Sequence, residues 1–101
     1  MAEFVKVAEV ADVKPGTAVC VEVKGRQVGL FNVDGVFHAI DNVCLHRGGP
    51  LNEGEIDGCV VTCPWHGWQY DVTTGINTMD DTEKLDRFDT KVEGGSVFVA
   101  V

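Results

Sequence analysis

The sequence predicts an all-β fold, a small antiparallel β-sandwich or barrel, from three observations. Short alternating or β-branched runs recur along the chain. Gly, Pro and Asp-Gly signals separate them. No segment carries an apolar face at helical spacing over a useful length, so nothing competes with sheet packing as the source of a core.

The elements follow in order. Phe4-Val5-Lys6-Val7 alternates and reads as a first strand, and the turn signal Lys14-Pro15-Gly16 comes after it. Ala18 to Val23 and Val28 to Val33 are two further strands, joined through Lys24-Gly25-Arg26. Val36 to Ile40 is a fourth, reached through Asp34-Gly35, a pair suited to a tight hairpin because both residues tolerate positive φ. The first half therefore predicts an antiparallel meander. Thr74-Gly75 closes a turn, and Asn77 to Glu83 is a polar surface connection with room for one helical turn. Arg87 to Val92 and Ser96 to Val101, separated by Glu93-Gly94-Gly95, predict a terminal hairpin. The total is roughly eight to ten short strands.

A chain of 101 residues forms one core, so residues 1–101 are expected to be a single domain. Glu3, Lys6 and Glu9 interrupt any apolar run at the N-terminus, and no stretch approaches a membrane span, which predicts a soluble cytoplasmic protein with no membrane partner. A formal charge of −8 argues against a nucleic-acid partner, which demands a basic face, and permits docking on a basic protein surface. Cytoplasmic redox conditions favour thiols over disulfides. Cys20 and Cys59 lie in β-rich runs and read as small buried hydrophobes. His38 alternates with hydrophobic neighbours and reads as an ordinary strand histidine.

Function concentrates in two short motifs, Cys44-Leu45-His46 and Cys63-Pro64-Trp65-His66, which the sixteen residues from Arg47 to Thr62 separate. Each pairs one thiolate with one imidazole. The set Cys44, His46, Cys63 and His66 suits zinc or an iron–sulfur centre of mixed ligation. Zinc fingers usually put both cysteines in one knuckle and both histidines in another, whereas each loop here gives one of each.

This pattern resembles the Rieske [2Fe–2S] family, and the flanks Arg47-Gly48-Gly49-Pro50-Leu51 and Gly67-Trp68-Gln69-Tyr70-Asp71 extend the likeness. The resemblance implies a small cluster-binding subdomain inserted at about residues 41–75 of the β fold. It implies one [2Fe–2S] cluster per chain, with Cys44 and Cys63 on one iron and His46 and His66 on the other. Gly48, Gly49, Pro64 and Gly67 suit loops whose backbone must approach a cluster closely, and they suit plain turns equally. Trp65 and Trp68 are expected in the core, with shielding of the site from water as their other role. Respiratory members tie the loops with a disulfide; the matching positions here are Gly49 and Trp65, so no bridge forms. Those members also place a serine where this chain has Trp68, while Tyr70 keeps their tyrosine position. Loss of that hydroxyl predicts a potential in the lower part of the mixed-ligand range of about −150 to +300 mV.

The motifs also look like the Rieske domain of a ring-hydroxylating oxygenase. Its mononuclear iron site takes two histidines and a carboxylate, and of three histidines here only His38 is left over. No Gly-x-Gly-x-x-Gly fingerprint for a flavin or nicotinamide is present either. The resemblance therefore implies an electron carrier and not an enzyme: a ferredoxin taking electrons from a flavin-dependent reductase and passing them to a terminal oxygenase. The alternatives are a small Rieske subunit of a larger reductase, such as nitrite reductase, and a structural zinc module.

Overall fold

The computed structural model describes residues 3–43, 49–65 and 67–101. Within them the chain forms ten strands and no α-helix. They are β1 (Phe4–Glu9), β2 (Ala18–Val23), β3 (Arg26–Val33), β4 (Val36–Asp41), β5 (Glu55–Asp57), β6 (Val60–Thr62), β7 (Gln69–Asp71), β8 (Arg87–Phe88), β9 (Thr90–Glu93) and β10 (Ser96–Ala100). Two short 3-10 turns, Val10–Asp12 and Leu51–Glu53, complete the described elements. No helix among the described residues is long and apolar enough to cross a membrane.

The strands make three sheets, ordered β1-β10-β9, β2-β3-β4-β8 and β5-β6-β7, and every pairing is antiparallel. The fold is all-β, as the alternation predicts. The hairpins around β3 have the expected turns: Lys24 and Gly25 lie at φ 51° and 79°, Asp34 and Gly35 at 52° and 88°. Positive φ at both central positions matches the twist of the flanking strands.

The predicted meander is shorter than expected. β2, β3 and β4 form it, but β1 leaves to pair with β10, with Phe4 opposite Ala100 and Glu9 opposite Ser96. Alternation specifies a strand but not a partner so distant in sequence. The terminal hairpin β9–β10 forms as predicted, while β8 departs to the edge of β4. In the polar segment 77–83 the expected helical turn is absent. Asn77 is buried and its Oδ1 accepts hydrogen bonds from the backbone N–H of Met79 and Asp80, a local alternative to helix formation.

Burial explains why β3 reads as a continuous apolar run and not as strict alternation. Val28 and Leu30 point into a core with Val23, Phe37, Ala39, Val97 and Val99, formed where the second sheet packs on the first. Phe31 points the other way, with Ile40 of β4, into a second core with Leu51, Val61, Cys63, Tyr70 and Val72. The β3–β4 hairpin is thus covered on both faces, and the β5-β6-β7 sheet hangs on its second face.

Cys20 corrects the reading of a buried hydrophobe. It is exposed, on the same face of β2 as exposed Glu22, while Val19, Val21 and Val23 face inward. The period of two within Val19 to Val23 carries that distinction. Cys59 is half-buried in the turn between β5 and β6.

Candidate metal centre

The second motif continues a hairpin. β6 and β7 pair through Thr62 and Gln69, and the Cys63 backbone N–H donates to the Trp68 carbonyl at 2.7 Å. Gly67 N–H donates back to the Cys63 carbonyl at 3.1 Å, with Gly67 at φ 78°, a conformation that favours glycine. These bonds hold Gly67 and Trp68 back against Cys63. Cys63 is 2% exposed among Leu51, Val61 and Tyr70. His66 lies outside the described residues.

The first motif is bracketed in the same way. Val43 pairs with Pro50, and Leu51 N–H donates to the Asn42 carbonyl at 2.9 Å. Leu51, fully buried, plugs the returning chain into the second core. Cys44 and His46 fall between these anchors, outside the described residues.

Gly49, three residues beyond His46, shows how close the two motifs come. A Cβ placed on it would sit 2.8 Å from Cys63 Sγ and 3.2 Å from Cγ and Cδ2 of Trp65. The chain that returns after the first motif thus lies, at Gly49, against the sulfur and the indole of the second. Glycine is required there by close approach and not by an unusual φ, which favours the close-approach reading of this position over plain turn chemistry. A buried thiol in a cradle that excludes a Cβ, beside a bracketed Cys-x-His segment, fits a small sulfur-ligated metal group. Gly49 and Trp65 are also the two positions where the resemblance places a disulfide in respiratory members. Here an indole packed on a bare backbone joins them.

Trp65 departs from the core expectation: it is 56% exposed, with one edge on Gly49 and the rest in solvent. Trp68 is half-buried against the second core. Tyr70 is fully buried, opposite Val61 and bridged to Asn77.

His38 stays in β4, opposite Phe31 and half-buried. Burial lowers its pKa, the nearby Arg87 guanidinium lowers it further, and Asp71 opposes them. The unfolded chain therefore binds the proton first. Stability should fall as pH drops through the unfolded histidine value of about 6.5 and level off below the depressed folded value. His38→Gln is expected to remove that loss, so its denaturant midpoint should gain on the wild type between pH 7.5 and 5. A constant difference between the two curves would contradict this.

Sequence reading missed two supporting positions. Gly54 faces a backbone: a Cβ there would lie 2.0 Å from the carbonyl oxygen of Thr62, the residue before Cys63. Asn42, two residues before Cys44, is 2% exposed and hydrogen-bonded on all sides. The only local signal for Asn42 was a polar residue at a strand end.

Residues 3–89 match the family model of the Rieske [2Fe–2S] domain. The chain belongs to the Rieske family. Among curated Rieske relatives it is similar to the biphenyl dioxygenase ferredoxin subunit of Pseudomonas sp. (strain KKS102), at 37% identity over 95% of this chain and 90% of that protein. Among solved structures it resembles a chain in the complex of reduced oxygenase and oxidized ferredoxin of carbazole 1,9a-dioxygenase. The TM-score is 0.88 and the identity 34%, over 96% of this chain and 92% of that one. A nitrite reductase small subunit from Mycobacterium tuberculosis shares the fold at a TM-score of 0.92, with 24% identity over 100% and 96% of the two chains. The Rieske assignment accounts for the spacing of the two Cys/His motifs and brings with it a [2Fe–2S] cluster as cofactor.

Proposed function

We propose that this chain is a Rieske-type ferredoxin that takes single electrons from a flavin-dependent reductase and delivers them to a terminal oxygenase, with one cluster held by Cys44, His46, Cys63 and His66. It transforms no substrate itself. The observation that carries the reading is the packing of Gly49 on Cys63 Sγ and Trp65, which supports a shared site for the two motifs. The bound cluster supplies reversible one-electron chemistry, at a potential raised above all-cysteine clusters by two neutral imidazoles.

The remaining contributions belong to the chain. Burial of Cys63 keeps water from one thiolate, and the β6–β7 hairpin fixes its direction. Trp65, on the solvent side of the same turn, gives a partner an aromatic surface beside the site. The acidic charge of −8 suits a basic face on donor and acceptor. We place the carrier in the cytoplasm, where its thiols stay reduced, and residues of about 41–75 as the cluster-binding subdomain. The β5-β6-β7 sheet falls inside that range.

The test is an EPR spectrum of anaerobically purified, dithionite-reduced protein, followed by reduction with a flavin-dependent reductase. A brown protein with a rhombic signal that reoxidises on adding a terminal oxygenase is the expected result. A colourless, zinc-containing, EPR-silent protein would overturn it, and stable co-purification with a large reductase subunit would replace the mobile carrier by a fixed one. In the loaded protein, His46→Cys or His66→Cys is expected to lower the midpoint potential by on the order of 100 mV, since a thiolate replaces a neutral ligand. An unchanged midpoint would remove that histidine from the ligand set.

A further inference from the structure

We infer that Asn42 is a positioning residue for the metal centre, a clamp that locks the entry of the first motif to its exit; the inference rests on the ferredoxin reading above. Asn42 stands two residues before Cys44, and its main-chain and side-chain groups join the two ends of the motif, while its side chain also bonds Cys20 of β2. Its backbone N–H donates to the Gln27 carbonyl of β3 at 3.0 Å, and its carbonyl accepts from Leu51 N–H at 2.9 Å. Its side chain bonds Asn52 twice: Oδ1 accepts from the Asn52 backbone N–H, and Nδ2 donates to Asn52 Oδ1, both at 2.8 Å. Residues before Cys44 and after Pro50 are thereby joined directly, by part-buried bonds, and the pair is tied to the second sheet.

The sheet makes room for this clamp. Gly29, in the middle of β3, is where any side chain would collide with it: a Cβ there would lie 2.7 Å from Asn42 Oδ1 and 2.8 Å from Phe31 Cε1. A glycine inside a strand weakens the strand unless another group must come close. Here those groups are the Asn42 amide and the Phe31 ring. The chemistry demands asparagine, because one short side chain must accept and donate at once. Serine or alanine cannot span both bonds, and the unmet Asn52 groups would be left without their partner.

Asn32 is a natural comparison. It is equally buried on the other end of β3, its Nδ2 donates to the Val13 carbonyl at 2.7 Å, and its Oδ1 accepts from Gly35 N–H at 2.8 Å. It does the same structural work away from the metal loops. Removing Asn42 and removing Asn32 should therefore cost similar stability, and only the first should disturb the metal.

The experiment measures transfer of metal from the loaded, folded protein to a chromogenic chelator, well below the thermal midpoint, with the EPR line shape of the reduced protein beside it. Asn42→Ala is expected to release metal about 10-fold faster or more and to shift or broaden the signal, and Asn32→Ala to leave both at wild-type values. Gly29→Ala, whose Cβ meets the Asn42 amide and the Phe31 ring, should speed release in the same direction as Asn42→Ala. If Asn42→Ala does not fold, Asn52→Ala and Gly29→Ala carry the same prediction. Wild-type release rates in these variants, or equal acceleration in Asn32→Ala, would overturn the proposal. A wild-type protein that yields zinc and no EPR signal would end the ferredoxin reading alone, since the same assay then reads the clamp through zinc.

Discussion

Cys63→Ala is expected to yield a colourless chain, with iron and acid-labile sulfide down to below about one-tenth of the wild-type content, because a thiolate cannot be replaced by a methyl group in a thiol-ligated cluster. The loss should reach stability as well. Metal binding that joins two loops is linked to folding, so the variant should melt well below the loaded wild type. The volume change at this buried site is small, which separates the effect from simple cavity formation. Cys59→Ala is the control. It removes a half-buried sulfur from the β5–β6 turn and should keep full iron content. Iron and sulfide analysis decides the matter: a brown Cys63→Ala protein of wild-type stoichiometry would remove Cys63 from the site.

Gly54→Ala should be the most damaging single methyl group in the described fold. Its Cβ would lie 2.0 Å from the Thr62 carbonyl oxygen and 3.0 Å from the Thr62 carbonyl carbon. A side chain could rotate away from such a clash, but backbone cannot, and Thr62 is paired on both sides, with Glu55 and Gln69. Relief requires separating β5 from β6 next to Cys63. A cost of about 3 kcal/mol or more is expected, at the upper end of overpacking effects, which lowers the thermal midpoint by about 10 to 20 °C. Gly58→Ala, in the following turn, offers the contrast. It has φ 62° and nothing within 4 Å of the added Cβ, so only backbone strain remains, about 1 kcal/mol. Thermal melts of the two variants test this, and equal midpoints would show that close approach at Gly54 does not matter.

Much of the architecture was legible because it is local. The alternation of Val19, Val21 and Val23 defines β2, and the Lys24-Gly25 and Asp34-Gly35 pairs fix the hairpins through positive φ. The pairing of β1 with β10 was not legible, since nothing in Phe4 to Val7 encodes a partner near the other end of the chain. The two Cys/His motifs pointed to a metal centre by residue type and spacing alone, and the close neighbours of Gly49 are Cys63 Sγ and Trp65. The surroundings were harder to read. Trp65 looked like core because hydrophobicity cannot say that one edge rests on a glycine while the other stays wet. Gly54 and Gly29 carried no signal of their roles, because the atoms that exclude a Cβ come from other segments, Thr62 on the facing strand and Asn42 beyond β4.

The covered β3–β4 hairpin has a consequence for how this protein ages. Because its two faces serve separate cores, one side can loosen while the other still holds the hairpin in place. The β5-β6-β7 sheet can then open and reclose on an intact template, a local excursion of lower free energy than global unfolding. A chain without its metal is thus expected to loosen first at the second core while the first stays folded.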